Sequence, residues 1–272
     1  MELALQTDSV RQLPFEQMLD LCVELGITYL EIPTGGQSTA NHLKIDELLG
    51  DPASFDRFRE ALASRGLRIA ALNCSAWPLH PVVGPAHVET IRKTIELADR
   101  LDVHTIVSMS GCPGDGPGDT TLNWVWSTWP EDQIDLLQRQ WDEAIPLWHS
   151  LVAHARDHGV EKIAFELHPL QLVYNVPTLQ KMRDAVGPVI GANLDPSHLF
   201  WQQMDPLTVI RVLRDAVFHV HLKDTKSELE RLAIAGVLDQ KLNPSAPDRA
   251  WNFRTLGIGH ARAASPCATP AP

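Results

Sequence analysis

The feature that most restricts the fold of this chain is a regular alternation of short apolar runs with longer segments in which apolar residues recur at helical spacing. The short runs are typical of buried β-strands, and they occupy residues 3–6, 27–32, 67–72, 103–109, 162–166, 190–195 and 217–222. Three helical segments are followed by glycine, the usual residue just past a helix C-terminus, at Gly26, Gly66 and Gly159. Strands that alternate with helices indicate parallel βαβ units, so the sequence predicts an α/β fold.

Two α/β architectures are compatible with this alternation, a (β/α)8 TIM-type barrel and a doubly wound open sheet. The open sheet usually has a glycine-rich turn after its first strand, whereas residues 7–14 are TDSVRQLP, so we predict the barrel. Residues 261–272, ARAASPCATPAP, lack the apolar periodicity of a further strand and helix. We therefore expect an incomplete barrel of seven strands, as a single domain at residues 1–260 with an irregular tail at 261–272.

Charge and cysteine content exclude several classes of protein. The formal net charge is -11, which argues against nucleic acid as a partner because such binding depends on Lys and Arg at phosphates. The four cysteines form no CxxC pair, a pattern typical of reduced cytoplasmic thiols rather than of a thiolate metal site. No apolar run approaches the roughly 20 residues that span a bilayer, and the first residues do not resemble a signal peptide. We expect a cytoplasmic protein that binds neither nucleic acid nor membrane.

Candidate metal ligands stand at the ends of three successive predicted strands. Glu166 ends the fifth run, Asp195 ends the sixth, and His221 lies near the end of the seventh. In a barrel of parallel strands these C-terminal ends meet at one mouth, where (β/α)8 enzymes hold their active sites. A single strand-end carboxylate is more often a helix cap or an ion-pair partner. Three such residues in succession favour a site for Mn²⁺, Mg²⁺, Co²⁺ or Zn²⁺.

The seventh strand carries two histidines that compete for the role of ligand. His219 and His221 alternate with Val220, so both face the same side of the strand. We expect His221, nearer the C-terminal end, to be the ligand. His219 would fill a deeper layer of the core or support the ligand from behind.

Several residues of the predicted strand-exit loops are candidates for binding substrate. His168 and His198 would contact substrate or orient a metal ligand. Lys223 would either bind an anionic or hydroxyl group of substrate or pair with Asp224. Aromatic faces near a polar metal site can bind the C–H faces of sugars, although loop tryptophans are also often packing residues. Both interpretations apply to Trp77, Trp124, Trp126, Trp129 and Trp201.

Several spaced motifs resemble those of one known superfamily. The similar segments are ALNCSAWPLHP at residues 71–81, FELHP at 165–169, GANLDPSHLFWQQMDP at 191–206 and VFHVHLKDT at 217–225. They resemble the xylose-isomerase-like barrel superfamily, in particular its group of sugar phosphate isomerases and epimerases. The resemblance extends over residues 1–260. It implies one divalent metal ion, commonly Mn²⁺, held by a Glu on strand five, an Asp on strand six, a His on strand seven and a Glu on strand eight.

By motif, the first three of these ligands correspond to Glu166, Asp195 and His221, and His198 is expected near substrate. The strand-eight Glu has no counterpart, because GIGH at residues 257–260 is followed directly by the Ala- and Pro-rich segment, a change that we interpret as a frameshift or truncation. Some epimerases of the group use a second Glu shortly after the strand-five ligand. Leu172 lies in that region here, so a proton shuttle between two carboxylates is not supported.

The function implied by the resemblance is that of a metal-dependent isomerase or epimerase of a sugar or sugar phosphate, acting through an enediolate by proton transfer next to a carbonyl. Glu166 and His198 are the expected catalytic residues, and the substrate site would contain His168, His198, Lys223 and Trp77. The alternatives are a lyase or deglycosidase acting on oxidised sugars, and a degenerate, non-catalytic barrel that serves as a partner subunit. Because a missing eighth strand would leave sheet edges unpaired, we also expect a homo-oligomer.

Overall fold

The structure is a computed structural model that describes residues 2–239 and 248–260. The strands within these residues are β1 (Ala4–Gln6), β2 (Tyr29–Pro33), β3 (Arg68–Asn73), β4 (Thr105–Ser108), β5 (Lys162–Glu166), β6 (Ile190–Leu194), β7 (Val217–Val220), β8 (Asp224–Ser227) and β9 (Trp251–Arg254). The α-helices are α1 (Phe15–Glu24), α2 (Ile45–Gly50), α3 (Pro52–Ala63), α4 (Gly84–Leu101), α5 (Asp132–Asp157), α6 (Val176–Val186), α7 (Pro196–Trp201), α8 (Pro206–Leu213) and α9 (Leu229–Ala235).

Strands β1 to β7 form one sheet in the order in which they occur along the chain. Neighbouring strands from β1 to β5 are parallel, and each connection between them contains a helix. A doubly wound sheet reverses its strand order at a switch point, so the observed order agrees with the predicted barrel and not with the open sheet. Among the described residues, no eighth strand joins this sheet.

Local sequence signals explain where several helices begin. The Asp51 carboxylate accepts hydrogen bonds from the first backbone amides of α3, and Pro52 supplies the first helical residue. Asn175 and Thr178 form a reciprocal capping box at the start of α6, and Asp205 caps α8 in the same way as Asp51. None of the helices in the described part of the chain combines the length and apolar composition that a membrane span requires.

The polar segment between residues 226 and 254 contains more regular structure than its sequence indicates. The described residues there include the second half of β8, helix α9 and strand β9, and β8 pairs with β9 in antiparallel register. Tertiary contacts explain the difference, because Trp251 of β9 stacks on Trp201 of α7 with 4.5 Å between the ring centroids. Short polar strands with distant partners leave no clear periodicity in a sequence.

The chain divides into two compact units, the first ending at Ala192 and the second beginning at Asn193. The single domain over residues 1–260 remains a prediction. The irregular tail predicted for residues 261–272 lies outside the described residues.

One face of the sheet in the first unit is covered by helices. Register partners on neighbouring parallel strands point to the same face, so Leu72, Ile106 and Ile163 share one face. Phe165, two residues further along β5, lies edge-on to Trp148 of α5 with 4.4 Å between the ring centroids. The apolar face therefore packs on the helices, and the opposite face is left for the candidate site.

Candidate active site

The predicted ligand residues occupy the C-terminal ends of three successive strands. Glu166 is the last residue of β5, Asp195 directly follows β6, and His221 directly follows β7. Glu166 and Asp195 are buried, and His221 is half-buried. Each of the three side chains offers an oxygen or nitrogen atom that can hold a metal ion.

In the first unit, Glu166 shares its face of the sheet with a second buried carboxylate, Glu31, which our sequence analysis missed. The common face follows from the register, which links β2 to β5 through Pro33, Asn73, Val107 and Ala164. Glu31 is 2% exposed, and its Oε1 accepts a 2.6 Å hydrogen bond from Asn73 Nδ2. The available signal was a charged residue inside an apolar strand, since such residues are rarely buried without a purpose.

Trp77, a predicted substrate residue, is held by two contacts in the loop after β3. Its backbone N–H donates to His87 Nδ1 at 2.8 Å, and its indole N–H donates to Met109 Sδ at 3.0 Å. Burial, and then the nearby imidazole of His80, lower the pKa of His87. A neutral His87 keeps Nδ1 free to accept the bond from Trp77, so the position of this loop depends on the protonation state of His87.

The other tryptophans of the predicted exit loops have unequal environments. Trp201 is buried in its stack on Trp251, which is a packing role. Trp126 and Trp129 lie in the segment between β4 and α5 with most of their side-chain surface exposed. The prediction that these tryptophans bind the C–H face of a sugar therefore applies only to those that are not buried.

His168 is the second residue of the loop after β5. Its backbone N–H donates to the carbonyl oxygen of Glu166 at 2.8 Å, and its Nδ1 contacts the carbonyl oxygen of Pro169. Leu172, in the region where some epimerases carry a second Glu, is buried and donates its backbone N–H to the carbonyl oxygen of Gly111 at 2.9 Å. An apolar side chain at this position supplies no proton-transfer group.

In the second unit, two predicted substrate residues, His198 and Lys223, lie beside the predicted metal ligand Asp195. Its Oδ1 accepts the backbone N–H of Ser197 at 2.9 Å and so caps α7. Its Oδ2 lies 2.9 Å from Lys223 Nζ and 3.4 Å from His198 Nε2. Lys223 Nζ is also 3.3 Å from His198 Nε2. One buried carboxylate thus links the loop after β6 to the loop after β7.

The two histidines of the seventh strand are close neighbours. The ring centroids of His219 and His221 are 5.6 Å apart with the rings nearly perpendicular. The His221 backbone N–H donates to the carbonyl oxygen of Leu194 at 3.0 Å, and its Nδ1 lies 3.1 Å from Asn193 Nδ2. These contacts fix His221 beside the end of β6.

Asp224, which the sequence suggests as a partner for Lys223, binds several backbone N–H groups. Its carboxylate accepts backbone N–H groups from Thr225 at 2.7 Å, Gly257 at 3.0 Å, Gly259 at 2.8 Å and His260 at 2.9 Å. Gly259 is required by the close approach, because a Cβ there would lie 2.4 Å from the Thr225 carbonyl oxygen. Asp224 therefore ties the segment after β9 to the start of β8.

Comparison with protein families identifies the class. Residues 19–259 match the model described as xylose isomerase-like TIM barrel, and the chain belongs to this family. With seven strands in sequence order, the predicted TIM-type fold is confirmed. A relative in Bacillus subtilis (strain 168), described as "Uncharacterized protein YfiH", is 45% identical over 263 residues, which are 95% of this chain and 84% of the relative.

Solved structures with the same fold are more distant in sequence. The probable 3-DHS dehydratase AsbF from Bacillus anthracis is 18% identical with a TM-score of 0.62, covering 89% of this chain and 86% of that one. The IOLI protein with a bound zinc atom is 19% identical with a TM-score of 0.60, covering 84% and 74%. A D-psicose 3-epimerase studied with D-fructose is 13% identical with a TM-score of 0.58, covering 81% and 72%. At these identities the likeness is one of fold.

Proposed function

We propose that this protein is a divalent-metal-dependent enzyme that moves a proton next to a carbonyl group of a sugar or sugar phosphate, as an isomerase or epimerase. The observation that carries the proposal is the placement of Glu166, Asp195 and His221 at the C-terminal ends of three successive strands. In TIM-type barrels these ends are where catalytic residues lie. Two carboxylates and an imidazole are suitable ligands for Mn²⁺, Mg²⁺, Co²⁺ or Zn²⁺, and Mn²⁺ is the ion that we expect.

The environment of these residues fits a cation. Asp195 Oδ2 is buried and takes part in no hydrogen bond of normal geometry within the described residues, although Lys223 lies nearby. A buried carboxylate oxygen is unfavourable unless a positive group neutralises it, and either Lys223 or a bound cation can do so. Asn193 Oδ1 is likewise buried without a partner. With its amide group rotated by 180°, Asn193 would accept a hydrogen bond from His221 Nδ1–H through Oδ1, and the other ring nitrogen would be the metal-binding atom.

Within this site each residue has a distinct task. A bound divalent cation would polarise neighbouring oxygen atoms of the substrate and favour loss of the adjacent C–H proton. Glu166 would act as ligand and general base in turn, and His198 would hold a substrate hydroxyl. His168, Lys223 and Trp77 would line the substrate site. Because Leu172 supplies no second carboxylate, another group must return the proton to the substrate. Glu31, which shares a face of the sheet with Glu166 in the first unit, is chemically suitable for this task.

Two alternatives differ in the product formed. A lyase would also begin by removing a proton next to a carbonyl but would then expel a leaving group, and the fold likeness to a probable dehydratase keeps this alternative open. A non-catalytic partner subunit would leave substrates unchanged. The predicted homo-oligomer also stays a prediction, which light scattering of the purified protein tests.

Exchange of substrate protons with solvent distinguishes these functions. The protein is incubated with Mn²⁺ in D2O and a panel of ketoses and keto-glycosides, and NMR follows the proton beside the carbonyl. We expect exchange together with formation of an isomeric sugar, and no loss of a leaving group, for at least one substrate. A chelator should abolish the exchange, and Glu166→Gln should slow it about 100-fold or more. Glu161→Gln is the matched control, because Glu161 is exposed and directly precedes β5. Exchange that is indifferent to both chelator and Glu166→Gln would refute the mechanism.

A further inference from the structure

We propose that Lys223 is a built-in counter-cation of Asp195, that a divalent metal ion displaces its ammonium group from this carboxylate, and that the displaced ammonium then binds an anionic group on the substrate. This inference rests on the proposed function and deepens it. It makes Lys223 a residue that determines specificity and narrows the substrate to a sugar derivative that carries a negative charge.

Two side-chain nitrogen atoms are directed at one carboxylate oxygen. Lys223 Nζ lies 2.9 Å from Asp195 Oδ2, and His198 Nε2 lies 3.4 Å from the same atom. The Asp195 side chain is 1% exposed and that of Lys223 is 41% exposed. The ammonium group therefore neutralises a carboxylate that is shielded from water, although the Lys223 side chain itself is partly exposed.

Lys223 and a metal ion would compete for the same atom. A carboxylate oxygen binds a divalent ion at about 2.0–2.2 Å, and Oδ2 is the free oxygen of Asp195 because Oδ1 caps α7 through Ser197. An ammonium group 2.9 Å from that oxygen would stand within a few ångströms of the ion, where two positive charges repel strongly in a partly buried site. Binding of the ion and binding of the ammonium group at Oδ2 therefore oppose each other.

The displaced ammonium group has a defined surrounding in which to act. Lys223 Nζ lies 4.6 Å from the centroid of the Phe253 ring, and that ring is nearly perpendicular to the His198 imidazole with 5.5 Å between the centroids. A lysine stem is long and flexible, so the ammonium group can leave Asp195 and remain in this loop cluster. Once separated from Asp195, the ammonium group has no other ion-pair partner within the part of the chain that the structure describes. A carboxylate or phosphate on the substrate would supply the counter-charge.

Metal affinity tests the competition without any measurement of activity. Isothermal titration with Mn²⁺ compares the wild-type protein with Lys223→Met, Lys223→Arg and Lys226→Met. We expect Lys223→Met to bind Mn²⁺ about tenfold more tightly than the wild type, within the usual range for coupling between two sites. Lys223→Arg keeps the charge and should resemble the wild type. Lys226→Met makes the same change in net charge at an exposed residue whose Nζ lies 3.3 Å from Glu228 Oε1, and it should not alter the affinity.

The outcomes separate this inference from the proposed function. If the wild type and Lys223→Met bind Mn²⁺ equally well, the counter-cation role is overturned while the metal-dependent function stands. Equal tightening in Lys226→Met would reduce the effect to net charge and also overturn the inference. If neither the wild type nor Lys223→Met binds the ion, both proposals fail. Thermal melting of each metal-free variant verifies that it is folded.

Substrate charge is tested on the Mn²⁺-loaded protein by comparing a sugar phosphate, a sugar carboxylate and the corresponding neutral sugar. We expect Lys223→Met to raise KM about tenfold or more for the anionic substrate and to leave the neutral sugar unaffected. The anion with the larger change identifies phosphate or carboxylate as the recognised group. An equal change in KM for charged and neutral sugars would overturn the assignment of an anionic substrate.

Discussion

Lys223 Nζ and Asp195 Oδ2 are 2.9 Å apart, and the other oxygen of the same carboxylate accepts the backbone N–H of Ser197 at 2.9 Å. A single side chain thus caps α7 and holds the positive charge of the loop after β7. Function and local stability are therefore joined at Asp195, and substitutions that keep one role can be separated from those that lose both.

Asp195→Ala should lower the free energy of unfolding by about 1–2 kcal/mol relative to Asp195→Asn, because asparagine still caps the helix and alanine does not. Urea denaturation of both variants without metal measures the difference. Equal stabilities of the two variants would show that the cap contributes nothing. Asp205→Ala is the reference for an ordinary helix cap, since Asp205 caps α8 on the exposed surface.

Asp224→Asn should destabilise the protein more than Asp205→Asn does. The Asp224 carboxylate is buried and accepts four backbone N–H groups, and an amide removes one acceptor oxygen and introduces a donor among them. Leaving buried donors unsatisfied costs about 1–3 kcal/mol each. Urea denaturation of the two variants tests the difference, and a loss at Asp224 no larger than that at Asp205 would contradict this account.

His87 should make stability depend on pH below neutrality. Its pKa in the folded protein is lowered by burial and by His80, so the unfolded state binds the proton more readily. The stabilising contribution is fully present above the unfolded pKa of about 6.5 and is lost as pH falls through the lower folded value. His87→Leu removes the acceptor for Trp77, so it should melt at a lower temperature than the wild type at pH 8 but lose less stability between pH 8 and pH 5. Parallel melting curves at both pH values would contradict the assignment.

The described cysteines should be inert in the native state. Burial raises the pKa of Cys22, raises that of Cys74 to about 11 and raises that of Cys112 to about 12. Since the thiolate is the reactive form, only a small fraction of each of these thiols is nucleophilic at pH 8. Cys267 lies outside the described residues, so the experiment uses Cys267→Ser. In denaturant, a thiol reagent should modify three thiols of this variant. In the native protein it should modify no thiol promptly, and a prompt reaction would show that a buried thiol is accessible.

The sequence predicted the sheet well because each strand is an apolar run bounded by helix signals, and such periodicity is local information. It also located Glu166, Asp195 and His221 at strand ends, since a carboxylate or imidazole after an apolar run is visible without a structure. It missed Glu31, because one charged residue inside a strand is usually an exposed one. It missed the β8–β9 pair, because that pair depends on Asp224 and on contacts between residues distant in sequence.

The contact between Lys223 and Asp195 also required coordinates. Asp224 is its neighbour in sequence, whereas Asp195 is 28 residues away. Side chains of adjacent residues in an extended segment point in opposite directions, so proximity in sequence does not identify the carboxylate that Lys223 contacts. Distances of this kind arise from the fold and leave no pattern in the sequence.

The central claim, that Glu166, Asp195 and His221 hold one divalent ion, is tested most directly by equilibrium dialysis against Mn²⁺ with elemental analysis. The wild type should bind one ion per chain, and Glu166→Gln, Asp195→Asn and His221→Gln should each lower the affinity about tenfold or more, while Glu161→Gln should bind like the wild type. A wild type that binds no ion, or three site variants that bind as the wild type does, would contradict the claim.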